Sequence, residues 1–97
     1  MPGYISLMKF TPKALADLKG SPSRLTEAKT VAQKMGIKAV GVWRTMGEYD
    51  MVTVIDAPND EAASLLNLAS ASTGYVTTET MRAYSEDEWK ALIGKLP

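Results

Sequence analysis

The sequence predicts an α+β domain whose strands and helices follow one another as β-α-β-β-α-β, with a short helix at the end. Three observations carry this prediction: short apolar runs bounded by turn residues, a helical repeat of apolar residues before Gly36, and a glycine turn between two strands. Right-handed crossovers then place both helices on one face of an antiparallel sheet with strand order 4-1-3-2. This is the ferredoxin-like arrangement.

The first third of the chain supplies one strand and two helical segments. "YISLMKF", residues 4–10, is typical of a strand. Thr11 can cap a helix and Pro12 suits its first position, so one or two helical turns are expected over residues 11–19. A longer helix follows from Ser21 and ends before Gly36. Its predicted buried face consists of Leu25, Ala28, Val31, Ala32 and Met35.

The rest of the chain supplies three strands and two helices. "KAVGVWRTM", residues 38–46, and "YDMVTVIDA", residues 49–57, are predicted strands joined by a two-residue type II′ turn at Gly47-Glu48. A helix capped by Asn59 or Asp60 follows, and the Thr-rich "YVTTETMRAY" is the fourth strand. Ser85 caps the last helix. The predicted buried face of the middle helix consists of Ala62, Leu65, Leu66 and Ala69.

Length and composition limit the function. The 97 residues suffice for one domain, spanning residues 1–97. The chain has no cysteine and no histidine, which excludes disulfides, thiolate nucleophiles, Cys/His zinc sites and histidine bases. We therefore expect neither a metal nor a cofactor. With 11 basic and 11 acidic residues the net charge is zero, so no nucleic-acid partner is expected.

Targeting signals are not visible in the sequence. "MPGYISLMKF" lacks the basic region followed by an apolar stretch that a secretory signal has. No segment is long and apolar enough to span a membrane. The expectation is a cytoplasmic protein without a membrane partner.

Alternation along the strands sorts the side chains onto two faces of the sheet. We assign the more apolar set to the helix layer, namely Ile5, Leu7, Val40, Val42, Arg44, Met46, Tyr49, Met51, Thr53, Ile55, Met81 and Ala83. The uncovered set then mixes apolar Tyr4, Met8, Phe10, Trp43, Val52 and Val54 with polar Ser6, Thr45, Asp50, Thr78, Thr80 and Arg82. A patch this apolar indicates an interface or a ligand groove. It predicts a homodimer through the uncovered face, with a higher oligomer left open.

Four stretches resemble those of a known family: "YISLMKFT", "GEYD" at residues 47–50, "DAPNDEAA" and "TETMRAYSEDEW". Together they make the chain, from Met1 to about Ile93, similar to the GYD-domain proteins, small bacterial proteins of unassigned molecular function. The resemblance implies a dimeric α/β barrel, in which two ferredoxin-like sheets pack face to face. Relatives in that superfamily include cofactor-independent monooxygenases, haem-degrading and muconolactone-isomerase-like enzymes, and ligand-sensing domains. Haem binding there usually relies on histidine, which this chain lacks.

The candidate site lies on the predicted uncovered face. Asp50 is the candidate catalytic base and Arg82 the candidate anchor for an anion, two strand spacings or about 9–10 Å apart. The alternative for Asp50 is a hydrogen bond across the hairpin, opposite Thr45, and for Arg82 an ion pair. The candidate ligand-binding residues are Ser6, Trp43, Thr45, Tyr49, Thr78 and Thr80. We expect Tyr49 to pack under a helix and Glu79 to point to the helix side or the sheet edge.

Three functions remain open at this point. The first is a homodimer that binds a small molecule between the sheet faces. The second is a cofactor-independent enzyme, similar to a monooxygenase or an isomerase, that acts on a small enolisable or aromatic compound. The third is a structural module of a larger assembly.

Overall fold

The computed structural model describes residues 1–97 as one antiparallel sheet with helices on one face. The strands are β1 (Gly3–Phe10), β2 (Lys38–Arg44), β3 (Met51–Asp56) and β4 (Val76–Ala83). The helices are α1 (Pro12–Leu15), α2 (Ser21–Lys34), α3 (Asp60–Ser72) and α4 (Glu86–Gly94), with a 3₁₀ turn at Leu18–Gly20. The strand order β2-β3-β1-β4 confirms the predicted topology and the ferredoxin-like fold.

The helices begin where their capping residues predict. The Thr11 hydroxyl accepts a hydrogen bond from the Ala14 N–H, and the Asn59 side chain accepts one from the Ala62 N–H at 2.9 Å. Ser85 and Glu88 form a capping box at the start of α4. Gly36, just beyond α2, has a φ of 74°, a conformation that favours glycine.

The hairpin between β2 and β3 has the predicted register but a longer loop. Trp43 pairs with Val52 and Arg44 with Met51. The Thr45 N–H donates to the Asp50 carbonyl at 3.0 Å, and residues 46–49 lie beyond that pair. The predicted two-residue turn is therefore wrong. The Thr45 hydroxyl donates to the Tyr49 carbonyl at 2.7 Å and thereby stabilises the longer loop. Gly47, with a φ of 104°, bends this loop.

The helices cover the opposite face of β1 from the one predicted. Tyr4 is 4% exposed and packs with core residues of α2, β3 and α3, and Ser6 beside it is also buried. Since Tyr4 pairs with Ile55 on β3 and Arg82 on β4, these side chains share the covered face. The prediction was right for β3 and wrong for β1 and β4. Alternation yields two sets of side chains, and Ile5 and Leu7 made the wrong set look like the core.

The contacts of the helices with the sheet are also rotated from the predicted ones. Ala63 is buried on α3 and Ala32 on α2, whereas Val31 and Leu65 are exposed and were predicted to be buried. Ala28 and Ala69, also predicted to be buried, are exposed. The two helices are splayed, so an opening remains between them above the sheet.

The molecule is thin and elongated. Its extents are 52 × 31 × 18 Å, and its radius of gyration of 14.7 Å exceeds the roughly 12.5 Å of a compact chain of this length. Only eight residues are buried, and α4 packs closely against no other helix or strand. The single chain thus has a small core.

None of the helices is both long enough and apolar enough to cross a lipid bilayer.

Candidate functional site

The face of the sheet without helices, here called the open face, carries apolar side chains on all four strands. It consists of Ile5 and Leu7 of β1, Trp43 of β2, Val52 and Val54 of β3, and Met81 of β4. Trp43 is 54% exposed, and its indole lies over Gly41, where a Cβ would clash with the ring. Gly41 therefore lets this large ring lie flat on the sheet. The open face is a broad apolar surface.

Polar side chains gather at one end of the open face, in a cluster of Lys9, Glu48, Tyr49 and Glu79 that we call the polar corner. The Tyr49 hydroxyl donates to Glu79 Oε2 at 2.7 Å, across β1. Lys9 Nζ lies 5.3 Å from the centroid of the Tyr49 ring and 3.6 Å from Glu48 Oε1. Glu79 pairs with Leu7, so both belong to the open face. The predicted position of Tyr49 under a helix is wrong. Of the two positions expected for Glu79, the helix side is wrong, whereas Glu79 does lie on an edge strand of the sheet.

Three residues of the polar corner, Lys9, Tyr49 and Glu79, line a shallow pocket of about 190 Å³. The hydrogen bond to Glu79 raises the pKa of Tyr49, with smaller contributions from loss of hydration and from the negative charge of Glu79. A phenol with a raised pKa stays neutral near pH 7 and acts as a hydrogen-bond donor. Tyr49 is therefore suited to binding or to holding the hairpin in place, and not to acting as a base.

Asp50 closes the end of the β1–β3 ladder. Its Oδ2 accepts from the Phe10 N–H at 2.8 Å, and its own N–H donates to the Met8 carbonyl at 2.8 Å. Thr45 bonds the Asp50 backbone carbonyl and not its carboxylate. The carboxylate thus links the hairpin to the central strand β1.

Arg82 lies on β4 and pairs with Tyr4, near the end of β1 that is remote from Asp50. Its side chain belongs to the covered face. Its Nη1 donates to the Gly3 carbonyl at 3.1 Å and also to the Ala83 carbonyl. Its Nη2 lies 3.5 Å from Glu88 Oε2. The strand positions that Asp50 and Arg82 contact are at least four residues apart, or about 13 Å along β1. The structure does not bring the candidate base and anchor together, and their catalytic roles stay predictions.

Ser6 and Thr80 form a buried polar link on the covered face. Their hydroxyl oxygens are 2.6 Å apart, and Thr80 donates to Asn67 Oδ1 of α3 at 3.0 Å. Thr78 pairs with Met8 and belongs to the same face. Of the six candidate ligand-binding residues, only Trp43 and Tyr49 lie on the open face, and Thr45 lies in the hairpin. A role in ligand binding stays a prediction for all six.

A second tyrosine–carboxylate pair lies on the covered face and was not anticipated. The Tyr4 hydroxyl donates to Asp60 Oδ1 at the N-terminus of α3. This hydrogen bond, followed by loss of hydration, raises the pKa of Tyr4. The polar corner was also missed as a unit, although Glu79, an acid among threonines, was a signal for it.

An apolar cavity of about 230 Å³ lies between α2, α3 and the covered face of the sheet. Among its lining residues are Met8, Phe10, Leu25, Val31, Leu66 and Val76. Tyr75 stands at its rim, with Arg24 Cζ 4.1 Å and Lys13 Nζ 4.3 Å from its ring centroid. No group of acidic side chains is placed to hold a metal ion. The cavity is suited to an apolar group.

The GYD domain family matches residues 4–93 of this sequence. The chain belongs to this family. A relative, the glutamine synthetase and cystathionine beta-lyase binding protein of Thermus thermophilus, is 30% identical to this GYD domain over 84 residues. The match covers 86% of this chain and 88% of that protein. No solved structure matches the chain.

The residues that give the GYD domain its name have distinct structural roles here. Gly47 adopts the positive φ of the hairpin loop, Tyr49 spans β1 to reach Glu79, and Asp50 binds the end of β1. Together they fasten the β2–β3 hairpin to the middle and the far edge of the sheet. The motif thus fixes the polar corner at the border of the apolar open face.

Proposed function

We propose that this GYD-domain protein is a binding protein without catalytic activity, which forms a homodimer through the open face and attaches to a partner enzyme. The single observation that carries the proposal is the apolar open face, with side chains from all four strands and no helix over it. Monomeric proteins rarely expose so broad an apolar patch. The surface of another protein has a shape that can cover this patch.

The distribution of polar groups favours a protein over a small molecule on this face. Ligand pockets are concave and aim a few polar groups at the ligand. Ser6, Thr80 and Arg82, which were expected to serve in this way, are engaged in hydrogen bonds on the covered face. What remains on the open face is an apolar centre with polar groups at its margin, as in the interfaces between proteins.

The name of the relative supports an enzyme as the further partner. That protein is described as binding glutamine synthetase and cystathionine beta-lyase, and 88% of its length aligns with this chain. We infer that the present protein binds an enzyme of one of these two kinds from its own organism.

Binding is tested with the purified glutamine synthetase and cystathionine beta-lyase of the same organism, by calorimetry and sedimentation. We expect a complex with at least one of them, with a dissociation constant below about 100 μM, the weak end of specific binding. An unrelated enzyme of similar size and charge is the control. Failure of both enzymes to bind at that concentration would overturn the assignment of the partner.

A second candidate function is the binding of a small apolar molecule, which the cavity between α2 and α3 favours. Its volume of about 230 Å³ exceeds that of an apolar cavity of about 150 Å³ that takes up benzene. Indole and benzene derivatives should raise the melting temperature, and Ala28→Leu, which fills the cavity, should abolish the effect. Ala71→Leu, at an exposed position of α3 outside the cavity, is the control. Equal stabilisation of both variants would exclude this site.

The enzyme hypothesis receives no comparable support. Its base, Asp50, and its anchor, Arg82, contact opposite ends of β1.

A further inference from the structure

The C-terminal helix α4 is firmly attached at its start. Ser85 and Glu88 close its capping box, and the backbone N–H of Ser85 lowers the pKa of the Glu88 carboxyl. Arg82 holds Glu88 at 3.5 Å while it also bonds the carbonyl of Gly3. These contacts fix the direction in which α4 leaves the sheet.

Beyond its first turn, α4 carries an apolar stripe that is about half exposed in the single chain. The stripe consists of Trp89, Leu92 and Ile93, spaced to lie on one side of the helix, and Leu96 follows two residues beyond the helix end. Trp89 is 57% exposed, and the other three are between 45% and 66% exposed. A nine-residue helix is only marginally stable in water by itself. Packing of its apolar stripe against another surface would stabilise it.

We propose that α4 is an arm that packs its apolar stripe against the second copy of the chain in the dimer. This inference rests on the homodimer proposed above. A symmetric dimer repeats every contact, so it contains two arms, one from each subunit.

α4 begins only two residues beyond the edge strand of the open face, and this connection identifies its occupant. β4 is an edge strand, and its open-face residues Met81 and Ala83 lead through Ser85 directly into α4. A second subunit centred on the open face therefore extends toward the arm. One partner then covers both apolar surfaces.

The area of the open face also indicates that the sheets need the arms. Four strands about 4.8 Å apart, overlapping over about six residues, give a flat area of about 400 Å². Stable interfaces bury about 800 Å² on each partner. Since a buried aromatic side chain alone contributes about 150–250 Å², Trp89 and its three apolar neighbours supply much of the difference.

The two tryptophans of the chain permit a direct test, because one lies on the open face and the other on the arm. Trp43→Phe keeps an aromatic ring on the sheet and leaves Trp89 as the only indole. Its fluorescence is followed over a dilution series in parallel with sedimentation. We expect the Trp89 emission to move to shorter wavelength as the dimer forms.

Each of the other outcomes would contradict the arm, and the last would contradict the dimer as well. Emission typical of a hydrated indole in the assembled dimer would overturn the arm and leave the dimer standing. Emission at short wavelength in the monomer as well would show that α4 packs on its own chain. A protein that remains monomeric throughout, in the wild type too, would overturn both the arm and the dimer.

A second measurement compares two positions on the same helix. Trp89→Ala should weaken the dimer about 30-fold or more, as expected for the loss of an aromatic anchor. Ala91→Lys, on the opposite side of α4, should leave the dissociation constant unchanged. Equal effects of the two substitutions would overturn the proposal, and circular dichroism verifies that both variants are folded.

Discussion

The two faces of the sheet differ in a way that their polarity alone does not suggest. The covered face contains polar side chains, Ser6 and Tyr4 among them, each bonded to a partner on the sheet or on α3. The open face contains the apolar residues of β1, Ile5 and Leu7, together with Trp43. The face under the helices is thus complete in its hydrogen bonds, whereas the open face still has apolar surface to bury.

The physical chemistry of burial explains how both faces arise in one sheet. A buried polar group is tolerated when it is hydrogen-bonded, and no buried side-chain nitrogen or oxygen in this protein lacks a partner. Burial of apolar surface stabilises a protein by about 25 cal/mol for each Å², and apolar surface left in water does not contribute this free energy. The covered face therefore stabilises the single chain, and the open face provides a reason to associate.

The largest effect is expected from a charge on the open face. Trp43→Glu should weaken dimerisation by about 4 kcal/mol or more, roughly 1000-fold, because it removes an aromatic anchor and places a carboxylate in an apolar interface. Sedimentation equilibrium measures the change. The subunit itself should remain folded, since Trp43 is already 54% exposed in the single chain.

The matched control for this experiment is Leu68→Glu. Leu68 is an exposed apolar residue of α3, on the helical side of the molecule. This variant should dimerise like the wild type. A dimer insensitive to Trp43→Glu, or one broken equally by Leu68→Glu, would show that the subunits associate through another surface.

The elements of the fold were predictable because their signals are local. Thr11, Asn59 and Ser85 cap helices at the positions that their side chains predict, and the strand order follows from the order of the elements. The register of the hairpin was also recovered, with Trp43 opposite Val52.

Which side chains of each strand lie under the helices was not predictable in the same way. Both alternating sets of β1 are apolar enough to be a core, so their polarity does not decide which one the helices cover. Tyr4 belongs to the core through its ring while its hydroxyl bonds Asp60, a contact between residues 56 positions apart. Choosing between the faces requires knowing where α3 lies.

The candidate site depended on that choice. Once β4 is turned, Arg82, Thr78 and Thr80 leave the open face, and Glu79 joins it beside Tyr49. Alternation places adjacent residues on opposite faces, so the wrong assignment of β4 exchanged all of its side chains at once. Trp43 of β2 was placed correctly, as were Val52 and Val54 of β3.

An intermediate effect is expected on the covered face, from Thr80→Val. The substitution keeps the shape of the side chain and removes the hydroxyl that bonds both Ser6 and Asn67. Leaving the buried Ser6 hydroxyl without a partner should lower the free energy of unfolding by about 1–3 kcal/mol. Urea unfolding at one fixed protein concentration measures this loss, because the contribution of dimer formation is then the same for the wild type and the variant.

Thr77→Val is the control on the same strand. Thr77 lies on the open face and is exposed, so the loss of its hydroxyl should change stability little. If the two variants are equally stable, the Ser6–Thr80–Asn67 link contributes nothing to the stability of the covered face.

The smallest effect concerns the two tyrosine–carboxylate pairs, one on each face, and it is visible only in alkaline solution. The hydrogen bonds to Asp60 and Glu79 raise the pKa values of Tyr4 and Tyr49 above the ordinary value of about 10. A pKa that is raised in the folded state contributes stability that is fully present below the unfolded pKa. That contribution is lost as the pH rises through the folded pKa.

The wild type should therefore lose stability as the pH rises above about 10, the ordinary tyrosine value, and Tyr4→Phe and Tyr49→Phe should each flatten that loss. Tyr4→Phe should have the larger effect, since Tyr4 is 4% exposed and Tyr49 lies in a shallow surface pocket. Urea unfolding over a pH series measures both variants.

Glu79→Gln should lower the pKa of Tyr49 more than Glu48→Gln does, because only Glu79 accepts a hydrogen bond from the Tyr49 hydroxyl. If both substitutions lowered it equally, long-range charge and not the hydrogen bond across β1 would govern the polar corner.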